Sequence, residues 1–256
     1  MRKRLLIASM TVVLFSGCTL RASDSRDGVV TFEVKNLELP AYGEEEDIIV
    51  HLGYTASYNH QTLVPNWVAW ELTAEEVEGT NEGQYSFSRD PDVKFPKASR
   101  EDYSHSGWDK GHMAPRADMK WSCQALEESY YFTNVCPQDH EMNSQAWRKI
   151  EELSRRLAKR YGNVYIICGP LFDEHRFGTI GEGGVQVPDR FFKAMAVSTE
   201  NGYQTVGFVV DNSPQDYSPK HYAVSVDSVE VLAGRNLFPK VDETAEQTFD
   251  WDFWNR

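Results

Sequence analysis

The chain is 256 residues long, with 41% hydrophobic and 25% charged residues and a formal charge of −13. That length and apolar content suit a soluble globular protein with its own core, and exclude a disulfide-stapled miniprotein or a low-complexity polymer. The acidic balance excludes nucleic-acid binding through the surface as a whole, so any such contact needs a local concentration of basic residues.

Arg2, Lys3 and Arg4 precede an apolar run from Leu5 to Phe15, and Ser16-Gly17-Cys18 follows. The run is too short to span a bilayer and reads as an export signal. Small residues directly before a cysteine resemble a bacterial lipobox, with Phe15 standing where Leu, Val or Ile is usual. The expected organisation is a lipoprotein-type signal peptide over 1–17, a lipid-bearing Cys18, a tether over 18–28 and a single domain over 29–256. The expected location is the cell envelope or secretion, with no transmembrane helix in the mature chain. Cleavage leaves 23 basic against 39 acidic residues, a formal charge of −16.

Strand signals begin at Val29–Val34 and continue at Ile48–Tyr54 and Asn66–Leu72, the last with aromatic residues on both faces. Residues 80–106 are rich in Gly, Ser, Asp and Pro and read as a long loop, a length that is often functional. Met142–Tyr161 has the helical rhythm Trp147, Ile150, Leu153, Leu157, with a stop at Gly162-Asn163. This helix gathers Arg148, Lys149, Arg155, Arg156, Lys159 and Arg160 against only Glu151 and Glu152. Val164–Cys168 reads as a strand ending at Gly169-Pro170. Phe191–Val197 and Tyr203–Val210 read as a hairpin turning at Asn201-Gly202, and Ser225–Ala233 as a helix stopped by Gly234. The elements do not alternate strand and helix as in a doubly wound sheet. The expected class is α+β, one domain, with mostly antiparallel sheets flanked by helices. Cys123, Cys136 and Cys168 match no zinc spacing, and at least one is expected to be a buried free thiol.

Asp109-Lys110-Gly111-His112, Thr133-Asn134, Pro137-Gln138, Asn143, Trp147 and Glu151 form the chemically richest stretch. Phosphodiester hydrolysis needs a base for water, neutralisation of phosphoryl charge and stabilisation of the leaving alkoxide. His112 is a suitable base, because imidazole titrates near neutrality. Alone it would read as a surface or core histidine; its setting beside Asp109 and Lys110 gives it the sharper reading. On an ideal helix, Asn143 and Glu151 are separated by about 12 Å of rise and about 80° of rotation. That spacing permits one direct metal ligand plus one carboxylate acting through water, the way Mg²⁺ is usually held, with Mn²⁺ or another divalent cation possible. The plain alternative is Glu151 pairing with Arg155 on the helix surface. Lys110 offers the phosphate a cation without arginine's bidentate fork.

Asp109-Lys110-Gly111-His112 resembles the Asp-Arg-Gly-His signature of the DNA/RNA non-specific endonucleases, the ββα-metal family that includes endonuclease G. Thr133-Asn134-x-x-Pro137-Gln138, Asn143-x-x-x-Trp147 and Glu151 continue the match, and Trp67–Trp70, Gly169-Pro170 and Val187-Pro188 resemble flanking strands. The resemblance covers roughly residues 48–240. It implies His112 as general base, Asn143 as the one direct protein ligand of Mg²⁺, Glu151 holding a metal-bound water and Asn134 supporting the site. It implies cutting of DNA and RNA through their phosphate backbones, with little sequence preference and 5′-phosphate products.

Two departures bear on charge neutralisation. Lys110 replaces the signature arginine, and Gly83 falls where the family carries an upstream arginine, before Phe87-Ser88-Arg89-Asp90. Arg89 is the candidate substitute and Arg155 a second candidate phosphate contact. The runner-up function is a nucleic-acid-binding lipoprotein of the same fold with weakened catalysis. The aromatic, acidic tail Phe249–Trp254 is expected to dock on the protein's own surface or on a partner.

Overall fold

In the computed structural model, residues 36–214 and 216–255 are described. The expected signal, Cys18, the tether and the expected strand Val29–Val34 lie outside them. Eleven strands occur among the described residues: β1 Asp47–Val50, β2 Thr55–Asn59, β3 Val64–Thr73, β4 Asp109–His112, β5 Val135–Gln138, β6 Asn163–Leu171, β7 Thr179–Ile180, β8 Val185–Gln186, β9 Arg190–Thr199, β10 Gly202–Asp211 and β11 Ala223–Val224. The helices are α1 Ala74–Val77, α2 Arg100–Tyr103, α3 Cys123–Glu128, α4 Arg148–Tyr161, α5 Pro219–Tyr222, α6 Val226–Ala233, α7 Glu243–Glu246 and α8 Trp251–Trp254.

The main sheet has seven strands in the order β1-β2-β3-β6-β9-β10-β11, with every neighbouring pair antiparallel. The class is therefore α+β. Its central strands are apolar on both faces because both faces are covered. Trp67 and Trp70 of β3 point to opposite sides by strand alternation, and both are buried. Lys193 of β9 lies opposite Phe208 of β10 and Cys168 of β6, so these three share one face. That face receives Ile150, Leu153 and Leu157 of α4, all buried. Gly207 lies one residue out of phase and faces the other way, against Val229 of α6. The helices α4 and α6 thus cover opposite sides of one sheet.

Two expectations about strands need correction. Ile48–Tyr54 is not one strand, because a tight turn at Leu52-Gly53, closed by His51 N–H donating to Tyr54 O at 2.9 Å, ends β1 and starts β2. β6 does not stop before Gly169-Pro170 but runs on to Leu171. Pairing with β3 ends at Cys168, while β9 continues as partner, so Pro170 occupies a stretch with one open edge where its missing N–H is tolerated. The loop over 80–106 holds only the short α2 and an isolated bridge between Ser88 and Tyr131.

The tail docks on the body of the protein: Phe253 stacks on Tyr161 at 5.3 Å and Trp254 is buried. Cys136 and Cys168 are buried free thiols and Cys123 is an exposed one. No helix among the described residues is long and apolar enough to cross a membrane.

A Cβ on Gly207 would lie 2.4 Å from Val229 Cγ2 and 3.1 Å from Ser225 O. Gly207→Ala must push α6 off the sheet or repack Val229, and the expected cost is about 1–3 kcal/mol. Thermal melts followed by circular dichroism will read this as a lower Tm; an unchanged Tm would show that α6 is not seated this closely.

Candidate active site

β4 and β5 form a two-stranded ribbon, with Asp109 opposite Gln138 and His112 opposite Val135. The chain then enters a helix whose first turn, Met142–Trp147, is a π-helix before it continues as α4. The ribbon and helix together make a ββα unit. The π turn alters the ideal-helix spacing expected between Asn143 and Glu151, since it is wound wider than an α turn. Asp139 starts this turn: its Oδ1 accepts from Glu141 N and Met142 N, both at 3.0 Å.

The helix is tied to both ends of β4. Asn143 Nδ2 donates to Asp109 Oδ2 at 3.0 Å, and Trp147 Nε1 donates to His112 O at 3.3 Å. A carboxylate can only accept, so Asp109 fixes the amide with its nitrogen inward. Asn143 Oδ1 then has no hydrogen bond to a described residue and is free to meet a ligand. His140 Nδ1 lies 2.9 Å from the same Asp109 oxygen.

Gly111 explains why the ribbon needs a glycine between Lys110 and His112. A Cβ there would fall 1.8 Å from Gln138 Oε1, because the Gln138 side chain lies across it. Gln138 is fully buried, and neither of its side-chain polar atoms has a partner among the described residues.

His112 packs between Phe87, at 5.0 Å between ring centroids, and Tyr130, edge-on at 5.1 Å. Its Nε2 is sealed from solvent without a hydrogen-bond partner among the described residues, which leaves Nδ1 as the nitrogen that can address a water. Burial, with repulsion from Arg116, pushes the imidazole pKa down to about 4. The ring is therefore neutral at physiological pH, the form a general base requires. Asn134 is fully buried and does not reach into the site. Its Oδ1 accepts from Ala114 N at 2.8 Å, and its Nδ2 donates to Ala114 O at 2.8 Å and Ser129 O at 2.9 Å. It acts on His112 by locking the segment that follows it.

A buried charge network lies under this unit. Asp118 is fully buried; its Oδ1 accepts from Arg155 Nη1 at 2.8 Å and its Oδ2 from Trp70 Nε1 at 3.2 Å. Lys193 is fully buried, its Nζ makes no hydrogen bond to a described residue, and it stands 4.3 Å from the ring centre of Trp147 and 5.2 Å from that of Trp70. Such cation–π contacts partly replace the lost hydration. Burial pushes the Glu151 carboxyl pKa up to about 7, opposed by Lys193 and reinforced by Asp118. Glu151 makes no side-chain hydrogen bond to a described residue. The surface pairing of Glu151 with Arg155 is thus not formed, because Arg155 turns inward to Asp118.

The expected phosphate contacts are engaged as follows. Arg155 is committed to Asp118. Arg89 faces Glu101 at 3.8 Å and the Phe95 ring at 5.8 Å, and no contact joins it to His112 or Asn143. Lys110 extends over the rings of Phe87, at 6.0 Å, and Tyr103, at 5.9 Å. Sequence reasoning missed Arg116. Its charge acts on His112, it bonds Tyr130, and it pairs with Glu82 at 3.2 Å, the residue beside Gly83. It therefore sits where the loop with the absent upstream arginine approaches His112. Asp118 and Lys193 were also missed, since neither stands in a motif and their meaning comes from contacts across the fold.

Comparison with known proteins places this geometry. The model of the DNA/RNA non-specific endonuclease family matches residues 34–244. Mitochondrial nuclease EXOG from Xenopus laevis is 32% identical over 208 residues, covering 75% of this chain and 58% of the frog protein. Mitochondrial endonuclease G from Bos taurus is 32% identical over 202 residues, 73% of this chain and 68% of the bovine protein. Nuclease C1 from Cunninghamella echinulata var. echinulata is 31% identical over 217 residues, 78% of this chain and 86% of the fungal protein. A chain from the crystal structure of an EndoG/EndoGI complex superposes with a TM-score of 0.74 at 28% identity, covering 82% of this chain and 91% of that one. With the ββα unit in place and a family model matched over most of its length, the chain belongs to the DNA/RNA non-specific endonuclease family.

Proposed function

We propose that the protein is a metal-dependent, sequence-tolerant endonuclease that hydrolyses phosphodiester bonds of DNA and RNA to 5′-phosphate ends. The observation that carries this reading is the Asp109–Asn143 hydrogen bond, which turns an amide oxygen of the helix outward beside the ribbon that holds a neutral imidazole. The donor set fits one hard cation. Among the described residues nothing bonds Asn143 Oδ1 or the Glu151 carboxylate, and the latter sits in a setting that disfavours its charge in the absence of a cation. Asn143 would hold Mg²⁺ directly and Glu151 would hold it through water, an arrangement that suits an ion reluctant to dehydrate.

His112 takes the proton from the attacking water through Nδ1. Phe87 and Tyr130 hold the ring, and Trp147 holds its backbone. A divalent cation held by Asn143, and by Glu151 through water, would supply charge neutralisation at the scissile phosphate and at the leaving 3′ oxygen. Lys110 and Arg116 add positive charge from the protein. Recognition addresses the phosphate backbone, which carries no base sequence.

Three outcomes are expected. The purified protein should degrade plasmid DNA and RNA with Mg²⁺ and not with a chelator. His112→Ala should lose about 10²–10⁴-fold in rate while still folding. Metal-independent digestion, or full activity in His112→Ala, would overturn the reading.

Arg116→Ala should lower kcat/KM at least about tenfold, because a cation facing developing charge is removed, whereas Arg89→Ala should change it little. The reverse order would return the substitute role to Arg89.

The two shifted groups predict a split pH response. Glu151 has a raised pKa, so protons compete with Mg²⁺, and the Mg²⁺ concentration for half-maximal rate should climb as pH falls below about 7. His112 has a lowered pKa, so at saturating Mg²⁺ the acid limb of the rate should lie near pH 4, well below the ordinary histidine value of 6.5. Circular dichroism at each pH separates titration from acid unfolding. A saturating-metal limb centred at 6.5 would contradict the placement of His112.

A further inference from the structure

Across the sheet from the ββα unit, α6 and α7 bring three carboxylates together. Asp227 and Glu230 lie one turn apart on α6, and Glu246 ends α7; one oxygen of each lies within 4.8 Å of the other two. Both helices are seated against β10. Val229 of α6 packs on Gly207, and Ala245 O of α7 accepts from Thr205 Oγ1 at 2.6 Å. The position of these oxygens is therefore set by the fold.

Acidic clusters on surfaces are common, but Glu246 is not on the surface. It is 1% exposed, and its Oε1 is buried without a hydrogen-bond partner among the described residues. Beyond burial itself, the groups acting on Glu246 are four more carboxylates, Glu230, Asp227, Glu243 and Asp242. Burial and this repulsion push its pKa up to about 8. A buried carboxylate with an unbonded oxygen, set against two other carboxylates, is an arrangement that a cation would satisfy.

We propose that Asp227, Glu230 and Glu246 form a structural Ca²⁺ site that ties α6 to α7. An all-carboxylate, all-oxygen set selects a hard cation over zinc or copper. Three protein carboxylates on one ion favour calcium, which takes six to eight oxygen ligands in a flexible shell, over magnesium, which is usually held through one or two carboxylates and several waters. Waters complete the shell on the side of the half-buried Asp227 and Glu230. This site is separate from the one at Asn143 and does not depend on the nuclease reading.

The test uses the full protein carrying Asn143→Ala, so that the other proposed metal position is disabled, stripped with chelator and titrated with CaCl₂ by calorimetry and thermal melts. One Ca²⁺ should bind per chain. Tm should rise by about 5 °C or more at a hundredfold excess over Kd, and more than in equal MgCl₂. Glu246→Gln should abolish the binding and the Tm rise. Without calcium that variant should melt no lower than its parent, because a neutral amide replaces a crowded carboxylate. Should it fail to fold, Asp227→Asn, on a less buried residue, must weaken calcium binding at least about tenfold. No calcium-dependent heat in the Asn143→Ala protein, or binding untouched by Glu246→Gln or Asp227→Asn, overturns the site.

Discussion

The carboxylate of Asp109 can accept hydrogen bonds and cannot donate them, and the arrangement of the site depends on that restriction. It forces the Asn143 amide to present Nδ2 inward at 3.0 Å and leaves Oδ1 facing out. The bond also joins the first turn of the long helix to the first residue of β4. Trp147, one turn further on, closes the other end through His112 O. The imidazole and the amide oxygen are thus mounted on one rigid unit, and Asn134 stiffens the chain where it leaves that unit. Gly111 permits the ribbon to carry Gln138 across its face. Asp109, Gly111, Asn134, Asn143 and Trp147 each have a mechanical reason to be what they are, apart from any part in chemistry.

Beneath the unit, burial moves two titratable groups in opposite directions. His112 loses affinity for its proton and Glu151 gains it. Desolvation penalises charge in both cases, so the imidazole stays neutral, the state that the proposed chemistry requires of a base, and the carboxyl holds its proton more tightly. Asp118 and Arg155 pair directly, while Lys193 balances the second carboxylate through space and rests on two tryptophans. Removing one member of such a network leaves a buried charge uncompensated, at a cost of about 3–5 kcal/mol. The network is also the reason Arg155 is unavailable as a simple surface cation.

Much of this was legible in the sequence where a signal was local. The apolar rhythm of Trp147, Ile150, Leu153 and Leu157 marked the helix, and the Asn201-Gly202 turn marked the β9–β10 hairpin. The His112, Asn134, Asn143 and Glu151 spacing marked the candidate site. What was not legible required knowing which strand lies beside which. Nothing in the sequence near Lys193 says that its ammonium will sit over Trp147 and Trp70. Arg116 looks like a loop residue until Glu82 and Tyr130 place it near His112. The π turn was invisible because its residues fit an α-helix equally well. Pro170 read as a strand end because the open edge left by β3 appears only in the assembled sheet. The buried position of Glu246 came from tertiary packing that an acidic tail does not announce.

The central claim is that Asn143 Oδ1 is the one atom of the protein that touches the catalytic cation. Crystals grown with Mn²⁺ as a visible substitute test it through the anomalous difference map. The account predicts a peak about 2.1–2.2 Å from Asn143 Oδ1, an octahedral distance close to that of Mg²⁺, with Glu151 reaching it through a water. A peak bonded to Asp109, to His112 or to the Glu151 carboxylate in place of Asn143 would contradict the account.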